Sequence, residues 1–231
     1  MKTNIISLVL LLISFSCGTN NKPVSNAEKH KTEAKLNMGL VQQLDSIYED
    51  DQKYRMQIDE IEKKFGWESK EMKANWKIIH KKDSLNQIKV KTILDNNGWL
   101  GEDVVGEKGS SALFLVIQHS DLTTQEHYLP MMRDAVKDGK AAGSRLALLE
   151  DRVALRQGKK QIYGSQISRD AETKLYYVSP LVDPDNVDKR RAEVGLQPIA
   201  NYVIEWQIKW DVEQYKKDLE KIEAKEKANQ K

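Results

Sequence analysis

The sequence predicts a mainly α-helical (α+β) fold, a bundle-like helical domain with one small β-hairpin, placed behind an N-terminal signal and a flexible tether. Three observations predict it. Leu40, Leu44, Ile47, Tyr54, Ile58, Ile61 and Phe65 recur at alternating steps of three and four once Asp51 is counted in the series, as on one face of an amphipathic helix. Met72, Trp76, Ile79, Val90 and Ile93 repeat the rhythm, with Asp83 and Asn86 completing it. Residues 161–168 and 174–179 are short, rich in Ile, Tyr and Val, and separated by Arg169-Asp170-Ala171-Glu172, the pattern of a hairpin.

The chain begins with a secretion signal. Lys2 supplies positive charge, and Ile5 to Phe15 is apolar except for Ser7 and Ser14. This run is shorter than the roughly 20 residues that span a bilayer and suits a signal-peptide core. Ser14, Ser16, Cys17 and Gly18 follow, a run that resembles a bacterial lipobox with Ser14 where Leu is commonest. The expectation is cleavage after residue 16 and lipidation of Cys17. The product would be an envelope protein anchored in a membrane, most simply the outer membrane facing the periplasm. Residues 17–35 are polar, contain Pro23 and lack an apolar period, as a tether would. A single domain over 36–231 is expected after them.

Gly66 is placed to end the first helix, and Asn96-Asn97-Gly98 the second. The two are expected to pair as an antiparallel hairpin. Gly98, Gly101, Gly106 and Gly109 suggest a loop, though one with the wrong spacing for a phosphate-binding Walker loop. Ala112 to Gln118 reads as a short buried helix. Asp121 to Thr124 offers capping chemistry for a helix to Asp138, with Pro130 as a kink or restart. Another helix is expected over 144–157, and a short one over 186–194. From Pro198 the period of Ile204, Ile208, Val212, Tyr215, Leu219 and Ile222 favours a long C-terminal helix. The strict alternation from Tyr202 to Val212 is the competing strand signal.

Composition excludes several classes of function. The formal charge is only +2, from 37 basic and 35 acidic residues, so no basic excess points to nucleic acid. Cys17 is the sole cysteine, which rules out a disulfide framework, a thiolate metal site and, once lipidated, a cysteine nucleophile. There is no Gly-x-Ser-x-Gly elbow.

The polar residues carry what remains. Asp51, Asp83 and Asn86 fall on stripes that should face the core, where an unpaired carboxylate costs several kcal/mol. Either the stripes rotate to water at those points, or the helices line a polar pocket. Gln118-His119-Ser120-Asp121 and Glu150-Asp151-Arg152 form the densest chemistry. His119 and Asp121 can ligate a metal or orient an imidazole as a general base, and His127 or Asp151 would supply a third ligand. The spacing matches no zinc motif, so no metal ligands are assigned and the cofactor is left unknown. Gln161, Tyr163 and Gln166 on the hairpin, beside Asp151 and Arg152, would make a binding wall.

Taken in order, Asp51-Gln52 with Arg55, Asp83 with Asn86, Asn97-Gly98-Trp99, Gln118-His119-Ser120-Asp121, Leu149-Glu150-Asp151-Arg152, Tyr163-Gly164-Ser165-Gln166 and Asp188-Lys189-Arg190-Arg191 resemble a bacterial family of unknown function, family 6624. Leu100, Ser120 and Ser165 depart from its pattern. The resemblance brings no activity. It does imply that Asp51, Asp83, Asn86, His119, Asp121, Asp151 and Gln166 form one site. The expected function is non-catalytic: an envelope lipoprotein binding a small polar ligand or a partner protein. The alternative is an acid–base or metal-assisted hydrolase, with His119 as base oriented by Asp121 and with Asp151 and Arg152 positioning the substrate.

Overall fold

A computed structural model describes residues 36–170 and 172–229. The expected signal peptide, Cys17 and the tether lie outside the described residues. The described chain is mainly helical with one two-stranded antiparallel hairpin, as the sequence predicts. Among the described residues no helix is long and apolar enough to cross a membrane.

Helix α1 (Met38–Arg55) starts at Asn37, whose side chain accepts from the Leu40 amide at 3.2 Å. The expected single helix to Phe65 breaks at Met56–Gln57, and α2 (Ile58–Phe65) follows. The cause is local. The Tyr54 carbonyl, which should accept the next helical bond, takes the Asn75 side-chain amide at 3.0 Å and the Gln57 amide at 3.3 Å. Helix α3 (Lys70–Asn97) is capped by the Ser69 hydroxyl and ends at Gly98. It runs antiparallel to α1, because Asn75, Lys82 and Asn86 bond in turn to Tyr54, Asp50 and Ile47.

The expected loop over 98–109 is instead helical from Glu102. Helix α4 (Glu102–His119) is kinked at Gly106, where φ is 71°. At Gly109 a Cβ would lie 3.0 Å from the Val105 Cβ and 3.4 Å from the Leu44 Cδ1. The glycine therefore lets the α4 backbone settle against α1, its most extensive partner, rather than marking a turn. Helix α5 (Leu122–Lys137) runs through Pro130, and α6 (Gly143–Arg156) packs along it. Leu44, Ile47, Val90, Leu113, Ile117, Tyr128, Met132 and Leu149 form the core of this bundle.

A second, smaller core holds the remainder: Val178, Leu181, Val187, Ile199, Val203, Tyr215 and Ile222. Strands β1 (Ile167–Arg169) and β2 (Tyr176–Val178) pair antiparallel, Ser168 opposite Tyr177. They are shorter than expected because the amides of Ile162, Tyr163 and Ser165 turn to the Asp151 carboxylate at 2.6–2.9 Å. Helices α7 (Val187–Glu193) and α8 (Ile199–Tyr202) follow, with α9 (Val212–Asn229) last. The expected continuous C-terminal helix is interrupted between α8 and α9, and no strand replaces it. Gln207 adopts φ 59°, and Asp211 restarts the helix by accepting from the Gln214 amide. The break brings Trp210 against Tyr215 at 5.0 Å between ring centres, over the second core.

Asp151 joins the two cores. Replacing it with Ala would strand three buried amide donors, each costing about 1–3 kcal/mol. Asp151→Ala is expected to lose about 3 kcal/mol or more and to melt about 6–12 °C lower by calorimetry.

Candidate functional site

The break after α1 exposes the polar end of its stripe. Asp51 and Arg55, one turn apart on α1, meet Asp83 from α3 and His119, the last residue of α4. Arg55 Nη2 donates to Asp83 Oδ1 at 2.6 Å. Its Nε lies 3.5 Å from Asp51 Oδ2 and 3.1 Å from His119 Nδ1. Asp51 Oδ1 lies 2.9 Å from the same His119 Nδ1, and the Gln52 amide donates to Asp51 Oδ2 at 2.7 Å. Asp51 is 2% exposed, so its charge must be met from within.

These contacts assign the proton. Burial pushes the Asp51 carboxyl up. The hydrogen bond and charge of His119, the Arg55 guanidinium and the Gln52 amide outweigh it and hold the group below its ordinary value. An ionised carboxylate only accepts, so beside Asp51 the ring favours the tautomer with its hydrogen on Nδ1, although Arg55 Nε is directed at the same nitrogen. In that tautomer the Arg55 guanidinium is held by its bond to Asp83 Oδ1 and by the ion pair with Asp51 Oδ2. In the neutral ring the lone pair is left on Nε2, which has no partner among the described residues.

Arg55, Asp83 and His119 edge a cavity of about 350 Å³ also lined by Ile58, Trp76, His80 and Arg152. Arg152 comes from α6, next to Asp151. Among the described residues it makes no hydrogen bond or ion pair, and its Nε is fully buried without a partner. Burial, then the charges of Arg156 and Arg55, pull its pKa down to about 10. At the mouth His80 lies against Trp76, with ring centres 5.8 Å apart.

One ligand atom from each of Asp51, Asp83 and His119 falls within 4.8 Å of the others, near enough for a divalent ion. The Arg55 guanidinium already sits among them as the counter-charge. A metal would have to displace it and face Arg152 as well, so the donor set fits a guanidinium better than an ion.

The other residues expected at the site have their own partners. Asp121 caps α5, accepting from the Thr124 amide and the Gln87 side chain at 2.9 Å each, and the Thr124 bond chiefly lowers its pKa. Asp151 holds the 162–165 backbone, and burial raises its carboxyl despite those bonds. Asn86 and Gln118 are buried, each donating at 3.4 Å to a carbonyl of a neighbouring helix, Ile47 and Leu148. Gln161 donates to the Ser179 and Gln166 carbonyls. Gln166 bonds the Ser165 hydroxyl at 3.0 Å. Tyr163 gives its amide to Asp151 and its carbonyl to Arg191. The pocket thus gathers Asp83, His119 and Arg152, with Asp51 buried against His119 and Arg55, and adds Arg55, Trp76 and His80. The spacing of Arg55, four residues after Asp51 on one helical face, was the available signal.

Because the Asp51 pKa is depressed in the folded state, its contribution is fully present above its unfolded value and fades as pH falls through the lower folded one. Asp51→Asn is expected to cost about 2 kcal/mol at pH 7. The gap in melting temperature between the two proteins should narrow by pH 3. A gap that stays constant would show that the carboxylate charge is not its source.

No curated protein and no solved structure matches the chain. The profile of a family of unknown function, DUF6624, matches residues 38–211, which takes in the bundle core, the second core up to Val203 and every residue of the pocket. The chain therefore belongs to the DUF6624 family.

Proposed function

We propose that the domain binds a small anionic ligand in the pocket between α1, α3, α4 and α6. The observation that carries this reading is Arg152. Holding a half-buried guanidinium with its Nε sealed from solvent and without an acceptor is costly, and such costs are retained where a ligand supplies the missing charge. The neighbouring cation, Arg55, is already committed to Asp51 and Asp83, so Arg152 is the group with capacity to spare. The cavity volume falls within the roughly 300–1,000 Å³ usual for small-molecule sites. Trp76 and His80 add an aromatic edge for the rest of the ligand.

Removing the unpaired cation should relieve the free protein. Arg152→Met is expected to melt about 2–4 °C higher without ligand, a gain of about 1 kcal/mol. It should also lose the stabilisation that millimolar inorganic phosphate gives the wild type in a thermal-shift titration. A variant that melts lower and still responds to phosphate would contradict the reading.

We further propose that the domain is held at the cell envelope by lipid on Cys17. The apolar run before it and the small residues Ser14 and Ser16 support this. Several acyl chains on one cysteine would satisfy the need for more than a single chain in stable anchoring. Radiolabelled palmitate should enter the protein and be lost in Cys17→Ser, whereas equal labelling of both would refute it.

A further inference from the structure

We infer that this pocket hydrolyses a phosphodiester, with His119 as general base, Asp51 as its positioning residue and Arg152 as the cation that meets the transition-state charge. The inference rests on the anion-binding reading of the same pocket.

The geometry supplies an oriented base. Asp51 Oδ1 lies 2.9 Å from His119 Nδ1, and with the hydrogen on that nitrogen the Nε2 lone pair faces away from the carboxylate. His119 lines the cavity, and Nε2 has no partner among the described residues. Asp51 cannot turn away, because Gln52 and Arg55 hold its second oxygen and Arg55 is itself tied to Asp83. A carboxylate, a fixed tautomer and an open second nitrogen are the parts general-base catalysis needs.

The charges choose the substrate class. A phosphodiester carries one negative charge and gains a second as the attacking oxygen adds. An unpaired, preorganised guanidinium stabilises the second charge more than the first. A carboxylic ester brings no anionic group for Arg152. A phosphomonoester passes through a loose transition state in which a base contributes little. The hydroxyl of Ser120, next to His119, is spent on the Val116 carbonyl at 2.7 Å, so water is the nucleophile.

The step balances without a cofactor. His119 Nε2 takes a proton from water as the water oxygen bonds to phosphorus. The bond from phosphorus to the leaving oxygen breaks, and that oxygen takes a proton from solvent while His119 returns its own. The products are a phosphomonoester and an alcohol.

The test uses the purified full-length protein, bis(p-nitrophenyl) phosphate and absorbance of the released nitrophenolate. The wild type should turn over, and His119→Asn should be slower by about 100-fold or more while still responding to inorganic phosphate in thermal shift. Arg152→Lys should raise KM and lower kcat. Asp51→Asn should lower kcat with little change in KM, because the ring loses the acceptor that orients it. Asp51→Glu should restore part of the rate, a rescue that a merely structural role would not give. A phosphate-responsive wild type that hydrolyses no faster than His119→Asn overturns hydrolysis and leaves binding standing. Loss of the phosphate response itself overturns the binding reading and this one with it. Turnover of p-nitrophenyl acetate but not the diester, or turnover abolished by EDTA and restored by Mn²⁺, also overturns it.

Discussion

The Asp151 carboxylate is the constraint on which the molecule turns. It sits in the bundle on α6, fully buried, and accepts the amides of Ile162, Tyr163 and Ser165 from the segment that opens the second core. Few side chains can satisfy three backbone donors at once, and none without an acceptor can do so. The same segment is gripped from the far side. Arg191, 1% exposed, donates to the Tyr163 and Gln197 carbonyls and stacks on Tyr202 at 4.8 Å. A carboxylate and a guanidinium thus hold one loop between two hydrophobic cores.

That arrangement bears directly on the pocket. Fixing Asp151 fixes the rotation of α6 about its axis, and so the direction in which Arg152 leaves it. Opposite, the Asp83–Arg55–Asp51–His119 chain is tied at each link by a hydrogen bond or close ion pair. The pocket therefore has one wall in which two carboxylates share a single guanidinium, and one further cation that has no contact partner among the described residues. Its polarity comes from that asymmetry, in a chain whose overall charge is close to neutral.

The helical pattern carried much of this. The stripes through Leu44, Ile47, Val90 and Ile93 read correctly as core, and of the polar intruders Asp51 and Asn86 are buried, whereas Asp83 is half-buried at the pocket. The failures share a cause: features set by a distant partner rather than by neighbours in sequence. Gly106 and Gly109 looked like loop residues, but Gly106 meets the positive φ of the α4 kink and Gly109 the approach of α1. The α1–α2 break depends on Asn75, twenty-one residues beyond the carbonyl it captures. His119 was paired by proximity with Asp121, which faces α5 and Gln87, while its bonded partner Asp51 lies sixty-eight residues earlier. The C-terminal segment satisfied two periods at once and follows neither through 207–211, where Trp210 stacks on Tyr215 against the second core.

Helix α2 is the exception to this tight construction. It has no buried residue, and the Arg169–Glu62 pair at 2.8 Å is a tie it makes to the hairpin. Exposed pairs of this kind hold little, so α2 has the low opening free energy of a segment with few buried contacts. Ile58, at its start, is also part of the pocket wall. Amide exchange along α2 and entry to the cavity are therefore governed by the same local equilibrium. A molecule that fills the cavity and touches Ile58 will slow that exchange without altering the protection of the bundle core.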